Sequence, residues 1–138
     1  MAEPLLAVRN VTMIFGEGTK RTVALENYSL EIAADSPSVI TIAGESGSGK
    51  TTLARLVLGF EKPTSGEILY KGRNIWQMTS QEWKTYRREV QAIFQDPYAV
   101  YNPFYTVDRL LFTPLKSFGL ARNRADALPK VEVALSRV

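Results

Sequence analysis

The sequence has 138 residues, 45% hydrophobic and 22% charged, with no apolar run long enough to span a membrane, so we expect one soluble domain. Cysteine and histidine are absent, which excludes disulfides, thiolate catalysis and metal sites built from these residues. The start, MAEPLLAVRN, lacks the features of a secretory signal, and the basic residues behind the net charge of +3 are scattered. We therefore expect a cytoplasmic protein that does not bind nucleic acid.

Two apolar runs open the chain, LLAVRNVTMIF at 5–15 and TVALENYSLEI at 22–32, with the turn sequence GEGTK between them. Their β-branched and apolar content predicts an antiparallel hairpin. After a loop at 34–38 comes VITIA at 39–43, an uninterrupted apolar run. Such a run predicts a short strand that is buried on both faces at the centre of a sheet.

A helix is predicted from Gly49 or Lys50, with Gly59 near its end as C-cap. Its apolar residues recur at helical spacing: Leu53, Leu56, Val57 and Phe60. The turn residues PTSGE then lead into EILYKGRNI at 67–75, which predicts a strand with a tight turn at Gly72.

The second half of the chain carries two predicted helix starts. Thr79-Ser80-Gln81-Glu82 fits a capping box that opens a helix through about Arg88. VQAIF at 90–94 predicts another strand, followed by a loop at 95–106. A last helix is predicted from Asn123 with one apolar stripe, and Pro129 fits this helix only if it starts late. The stripe consists of Val131, Leu135 and Val138.

The nine residues GESGSGKTT at 44–52 lie between the predicted central strand and the helix that follows. A glycine-rich turn there gathers backbone N–H groups and the positive end of a helix around one concavity, where anions bind. Lys50 would reach the β- and γ-phosphates of a nucleotide, and Thr51 would offer its hydroxyl to Mg²⁺. A turn that matches by chance would not need the flanking strand, helix and Lys-Thr pair. The predicted nucleotide-binding residues are Gly44, Ser46, Gly47, Ser48, Gly49, Lys50, Thr51 and Thr52.

Most of the chain resembles the ATP-binding subunits of ABC transporters, in the stretches LAVRNVTMIF, LENYSLEI, GESGSGKTTLARLVLG, KPTSGEILYKGRNI and VQAIFQDPYAVYNP. The resemblance implies ATP and Mg²⁺ as ligands. It also implies an α/β fold, a P-loop NTPase (RecA-like) core with an antiparallel β-subdomain, truncated within the helical subdomain. The implied division places 1–37 and 61–75 in the β-subdomain, 38–60 and 89–96 in the P-loop core, and 97–138 in the start of the helical subdomain.

The same resemblance implies site residues outside the glycine-rich loop. Phe15 would stack on adenine beside Val23, a contact worth about 1 kcal/mol. Gln95 would contact Mg²⁺ and sense the γ-phosphate, so Lys50 and Gln95 are the candidate catalytic residues and Thr51 and Gln95 the candidate metal ligands. By periodicity alone, Phe15 is an ordinary apolar strand residue and Gln95 merely begins a loop.

The segment QDPYAVYNP at 95–103 is similar to QDPYASLNP in oligopeptide, dipeptide and nickel importer ATPases, although Val100, Tyr101 and Phe104 depart from the usual pattern. This similarity implies import of peptides or a similar small solute, from the inner face of the membrane. It also implies that the region after Gln95 contacts permease subunits. The candidate docking residues are Tyr98, Tyr101, Pro103, Phe104 and Tyr105, whose alternative role is packing within the helical subdomain.

Groups that the family uses for hydrolysis are missing from the sequence. None of its 14 acidic residues follows an apolar strand as in a Walker B motif, an LSGGQ signature is lacking, and a switch histidine is lacking because the chain has no histidine. We therefore expect an N-terminal fragment that is inactive in hydrolysis alone and pairs with a second ATPase subunit in its full-length form. VITIA and VQAIF would then lack neighbouring strands and expose apolar side chains.

Three functions remain open from the sequence. The chain is the ATP-binding part of an importer ATPase, a nucleotide-binding module without turnover, or part of a non-transport ABC protein that acts on nucleic acid or ribosomes. Salt-dependent nucleic-acid binding would distinguish the third from the first two.

Overall fold

The computed structural model describes residues 3–96 and 104–137, and the chain divides into two compact units, Met1–Gln91 and Ala92–Val138. The first unit contains the sheet, two helices and the glycine-rich loop. The second unit contains two further helices. Among the described residues, none of the helices is both long enough and apolar enough to cross a lipid bilayer.

The sheet of the first unit is four-stranded and antiparallel, in the order β2-β1-β3-β4. Its strands are β1 (Leu6–Phe15), β2 (Thr22–Ile32), β3 (Ser65–Tyr70) and β4 (Arg73–Asn74). The predicted hairpin of the first two strands is confirmed. So are the predicted strand at β3 and the turn at Gly72, which has a φ of +71°.

Strand β1 lies at the centre of the sheet because it pairs on both sides. Val8, for example, lies opposite Leu30 of β2 and Ile68 of β3. The ladder between β1 and β2 is interrupted by register shifts, and side chains replace the missing backbone partners there. The Asn27 N–H donates to Thr12 Oγ1 at 3.0 Å, which satisfies a backbone group that the shifted register would leave unpaired.

Two helices share the core cluster of this sheet, α1 (Lys50–Val57) and α2 (Ser80–Glu89). The predicted helix at α1 is confirmed, with Leu53 and Leu56 buried. The predicted capping box is also confirmed: the Glu82 N–H donates to Thr79 Oγ1 at 3.3 Å, and the Thr79 N–H donates to Glu82 Oε2 at 2.7 Å. The start of α2 thus follows from local chemistry that needs no distant partner, whereas α1 begins at Gly49 without a side-chain cap.

Tyr86 joins α2 to the rest of the core. Its side chain is 1% exposed, stacks on Trp83 and meets the Tyr70 ring edge-on at 5.0 Å. Its hydroxyl donates to the Val57 carbonyl at the end of α1. The pKa of the Tyr86 hydroxyl is raised, because burial disfavours the phenolate.

The predicted strands at 39–43 and 90–94 are wrong, because neither segment has regular structure. Among the described residues no strand pairs with either segment, and an apolar run cannot form a ladder without a partner. The expected exposure of their side chains is confirmed: Val39 is 96% exposed and Ile93 is fully exposed. The antiparallel β-subdomain is thus observed, while parallel strands of a P-loop core are not found in the part of the chain that the structure describes.

The second unit contains α3 (Val107–Ser117) and α4 (Arg124–Leu135). The predicted start of α4 is confirmed, since Asn123 Oδ1 accepts a hydrogen bond from the Asp126 N–H at 2.9 Å. The expectation that Pro129 requires a later start is wrong. Pro129 lies inside α4, where it removes only the single backbone bond that its missing N–H would have donated to Ala125.

The apolar stripe predicted for α4 is only partly buried. Val131 is buried and Leu135 is 55% exposed, while Val138 lies outside the described residues. Helix α3 was not predicted from the sequence. Its available signals were Thr106 at the N-cap and Asp108 in the first turn, which suit a helix start.

Candidate phosphate-binding loop

The glycine-rich loop runs directly into α1. Gly49 is the N-cap of the helix with a φ of +88°, and the first helical hydrogen bond runs from the Leu53 N–H to the Gly49 carbonyl at 2.9 Å. The N–H groups of the first turn therefore have no carbonyl partner within the helix. They include the N–H of Thr51, an exposed residue, and that of half-buried Thr52. This helix start can donate hydrogen bonds to an anion.

The end of the loop rests on strand β2. A Cβ added at Gly49 would lie 2.3 Å from the Ala24 carbonyl oxygen and 3.0 Å from the Leu25 side chain. Glycine is therefore needed here for two reasons, the positive φ and the close approach of β2. Ala24 and Leu25 were not predicted as part of the site; a glycine at the N-cap hints at a close neighbour but does not identify it.

The other side of the loop is open. A Cβ at Gly47 would meet nothing within 4 Å, whereas a Cβ at Gly44 would lie 2.5 Å from Ser48 Oγ. Gly44 and Ser48 thus face each other across the loop, and a hydrogen bond from the Ser48 N–H to the Glu45 carbonyl at 3.2 Å closes the turn. Ser46 is exposed in the same turn. The structure therefore brings Gly44, Ser46, Gly47 and Ser48 together in one short turn that leads into Gly49 and α1.

The Lys50 side chain folds back over the loop that precedes it. Its ammonium donates to the Gly44 carbonyl at 2.7 Å, the Glu45 carbonyl at 2.6 Å and Ser48 Oγ at 3.1 Å. These three contacts use all three ammonium donors. The positive charge therefore lies at the loop itself, and an arriving phosphate would compete with carbonyl oxygens for it.

The residues present fit a magnesium-bound polyphosphate. The loop has small or polar side chains, an open face at Gly47, one cation at Lys50 and an exposed hydroxyl at Thr51. Within the described ranges no group of three or more acidic side chains could hold a metal by itself. Magnesium usually takes one or two protein oxygens together with substrate phosphates and water, and Thr51 suits that mode of binding.

The two predicted adenine contacts lie together at one end of the hairpin. Phe15 is the last residue of β1 and pairs with Thr22, and Val23 pairs with Ile14. Their side chains are 39% and 54% exposed. Val23 is also the neighbour in sequence of Ala24, whose carbonyl contacts Gly49. Val23 is thus part of the strand that supports the loop, and the pairing places the accessible Phe15 and Val23 side chains on opposite faces of the hairpin end.

The remaining predicted site residues belong to the second unit. Gln95 is exposed, and its predicted role at the metal stays a prediction. Among the predicted docking residues, Phe104 is 91% exposed and Tyr105 is 52% exposed with the Arg109 guanidinium 3.8 Å from its ring centre. The others, Tyr98, Tyr101 and Pro103, lie outside the described residues.

The family model described as ABC transporter matches residues 25–138, most of the chain and all of the loop. This chain belongs to the ABC transporter family. The resemblance seen in its sequence is therefore confirmed at the level of the family. Within that family, the glycine-rich loop of this ABC chain lies in the matched region, while Phe15 and Val23 lie before it.

Curated relatives of this ABC chain are named for peptide transport. It is 36% identical over 135 residues to a Brucella ovis protein named as a peptide import ATP-binding protein, covering 98% of this chain and 42% of that protein. It is 35% identical over 139 residues to the oligopeptide transport ATP-binding protein OppF of Streptococcus pyogenes, covering 100% of this chain and 45% of OppF. The chain therefore spans less than half the length of these relatives.

Solved structures agree on the fold. The likeness to cbiO1 from Clostridium perfringens, part of the ABC transporter complex cbiONQ, has a TM-score of 0.69 at 24% identity and covers 98% of this chain and 50% of that one. A second likeness is to the ATP-binding cassette MJ0796 in a dimeric post-hydrolysis state bound to ADP and Pi. Its TM-score is 0.68 at 22% identity, and it covers 95% of this chain and 56% of that one. At these identities the comparison supports the ABC ATPase cassette fold.

Proposed function

We propose that this ABC family chain is the ATP-binding part of an ATPase that drives import of peptides or a similar small solute. The observation that carries the proposal is the loop at 44–52, where the Lys50 ammonium lies on the loop carbonyls and the start of α1 has no side-chain cap. The peptide substrate class is supported by the names of its relatives, which align over nearly the whole chain.

In this proposal the phosphates of ATP bind at the loop. Lys50 exchanges its bonds to the Gly44 and Glu45 carbonyls for bonds to phosphate oxygens, which are better acceptors because they are charged. The N–H groups at the start of α1 donate to the same phosphates. Magnesium would be held by Thr51 and would neutralise charge on the phosphate oxygens, and the role of Gln95 at the metal stays a prediction.

The base of the nucleotide binds at the end of the hairpin. Phe15 offers a ring face for stacking and Val23 an aliphatic contact, and both are accessible. The turn between the strands, a 3-10 turn at Gly18–Lys20, keeps this end of the hairpin short. Because Ala24 of β2 contacts Gly49 and follows Val23 in sequence, the base would bind near the loop that holds the phosphates.

The whole protein would act as a peripheral subunit on the cytoplasmic face of a membrane. We propose that residues 97–138 begin a helical subdomain that contacts permease subunits, and that the exposed Phe104 and Tyr105 take part in this contact. Residues 1–37 and 61–75 would form the β-subdomain, and 38–60 and 89–96 the nucleotide-binding core. A second ATPase subunit would complete each ATP site in the full-length protein, and the chain by itself would bind ATP better than it hydrolyses it.

Binding of a fluorescent ATP analogue to the purified chain, with and without Mg²⁺, tests this proposal. Replacing Lys50 by Ala should weaken binding by roughly tenfold to a hundredfold, because charge-assisted hydrogen bonds are worth about 1.5–3 kcal/mol. Lys84→Ala, on the exposed side of α2, is the matched control and should leave binding within about twofold. Thr51→Ala should reduce the enhancement by Mg²⁺.

The outcome against the proposal is equal binding by the wild type and the Lys50→Ala variant while the fold is intact. Intactness can be read from the fluorescence of Trp76 and of Trp83 in α2, whose ring centres are 6.1 Å apart. ATP turnover by the 138 residues should be near background. Nucleotide binding without turnover in the presence of permease subunits would favour a module that only binds, and salt-dependent binding to nucleic acid would favour a non-transport function.

A further inference from the structure

The second unit contains a pocket that the proposed nucleotide site does not use. It lies between the length of α3 and the start of α4, and its volume is about 500 Å³. Sites for small molecules usually measure about 300–1,000 Å³. The side chains that carry the argument are Asp108, Arg109, Phe112, Lys116, Arg122 and Arg124.

The pocket is lined by more basic side chains than acidic ones. Four basic side chains line it against one carboxylate, Asp108, which pairs with Arg124. The Arg124 guanidinium also lies 4.8 Å from the centre of the Phe112 ring. These two contacts hold Arg124 in place and leave the charges of the other three cations unbalanced within the pocket.

Lys116 and Arg122 are the cations best placed for a ligand. Within the described ranges neither side chain takes part in an ion pair, and both are exposed to the pocket. The nearby Asp126 does not balance them, because its carboxylate accepts from Lys130 at 2.8 Å and from the Arg122 backbone N–H at 3.0 Å. Arg109 is held over the Tyr105 ring, which orients its guanidinium without neutralising it.

We propose that this pocket between α3 and α4 binds a small molecule that carries a phosphate group. The planar donor fork of Arg122 matches phosphate oxygens, and Lys116 adds a point charge. The pocket volume exceeds that of a phosphate ion alone, and Phe112 offers an apolar wall to the rest of the ligand. The source is either a soluble phosphorylated compound or the headgroup of an anionic lipid.

The test must separate this pocket from the loop at 44–52, which is proposed to bind phosphates as well. Titration calorimetry with pyrophosphate is therefore done on the full chain that carries Lys50→Ala. Adding Lys116→Gln and Arg122→Gln should weaken the remaining binding about tenfold or more, because two charge-assisted contacts are lost. Binding should also weaken as salt is raised.

A matched control keeps the same change in net charge. Lys84→Gln with Arg87→Gln neutralises two exposed cations on α2, for which the described part of the chain shows no ion pair. This pair should change binding by less than about twofold. Helicity measured by circular dichroism should be the same for both double variants, since the four side chains are exposed. If the chain with Lys116→Gln and Arg122→Gln fails to fold, the single variant Arg122→Lys is used instead. It keeps the charge but loses the planar guanidinium donors, so it should still weaken binding.

Vesicle binding distinguishes a lipid headgroup from a soluble compound as the source of the phosphate group. Cosedimentation with phosphatidylcholine vesicles that contain phosphatidylglycerol, but not with phosphatidylcholine alone, and loss of cosedimentation in the pocket variant identify a lipid headgroup. Pyrophosphate binding without vesicle binding identifies a soluble ligand. The proposal is overturned if neither probe binds the Lys50→Ala chain, or if the α2 pair weakens binding as much as the pocket pair does.

Discussion

Strand β1 and the segment at 39–43 have similar apolar sequences and opposite environments. Val8 in β1 is 0% exposed, whereas Val39 is 96% exposed. Val8 lies between two neighbouring strands and belongs to the core cluster. The segment at 39–43 pairs with no strand among the described residues. Burial therefore depends on the partners that surround an apolar run as much as on its sequence.

The sheet and the segment at 39–43 also differ in how they relate to the glycine-rich loop. The four-stranded sheet supports the loop at Ala24 and Leu25, while the exposed segment at 39–43 leads the chain into that loop. The residues proposed to bind phosphate thus follow a segment with few contacts and rest on one with many. Substitutions in the two regions should accordingly affect stability and binding to different extents.

The largest difference is expected from one substitution made in both regions. Val8→Ala should lower the free energy of unfolding by about 2–3 kcal/mol, because it removes two buried methyl groups and leaves a cavity. Val39→Ala should change it by less than about 0.5 kcal/mol. Urea unfolding followed by tryptophan fluorescence measures both, and equal losses would contradict the burial that distinguishes the two valines.

A second comparison tests whether strand β2 supports the glycine-rich loop. Gly47→Ala should cost about 1 kcal/mol of stability from its positive φ alone, since nothing lies within 4 Å of the added Cβ. Gly49→Ala should cost about 2 kcal/mol or more, because its Cβ also collides with the Ala24 carbonyl. The same urea titration measures the loss of unfolding free energy in both variants. A loss for Gly47→Ala at least as large as that for Gly49→Ala would show that β2 does not support the loop.

A smaller effect is expected where α2 joins α1. Tyr86→Phe removes the hydroxyl that donates to the Val57 carbonyl and should lower the unfolding free energy by about 1 kcal/mol. Tyr28→Phe is the control, because Tyr28 packs against the same core and its hydroxyl shows no hydrogen bond within the described residues. An equal shift of the thermal unfolding midpoint in Tyr86→Phe and Tyr28→Phe would show that this hydrogen bond does not stabilise the fold.

The smallest effect concerns the cap of α2 and depends on pH. The Thr79 backbone N–H lowers the pKa of Glu82, so the ionised carboxylate stabilises the fold. A lowered pKa gives stability that is fully present above the ordinary carboxyl pKa and is lost as pH falls through the lowered one. The stability difference between the wild type and Glu82→Gln should therefore shrink on acidification.

Thr79→Ala provides the contrast for this pH dependence. It removes the side-chain cap but keeps the backbone N–H that donates to Glu82, so most of the pH dependence should remain. Unfolding of the three proteins across the acidic range measures the effect. A difference between wild type and Glu82→Gln that stays constant with pH would contradict the role of the ionised carboxylate.

The sequence predicted those features whose causes are local. The hairpin, the capping box at Thr79 and the helix start at Asn123 depend on residues a few positions apart, and all are found. Helix α3 was missed because its interior proline, Pro114, weakens the pattern, and the strand at 39–43 was wrong because its composition cannot reveal whether a partner strand is present. The exclusion of disulfides and the predicted phosphate loop also needed only the sequence.

The sequence by itself determined that a small glycine-rich loop precedes a helix with Lys50 at its first position, because those are properties of neighbouring residues. Only the tertiary structure decided that β2 supports this loop and that the ammonium rests on the loop carbonyls. It also decided that four basic side chains gather in one pocket between α3 and α4. Such arrangements depend on contacts between residues far apart in the chain, which local patterns do not encode.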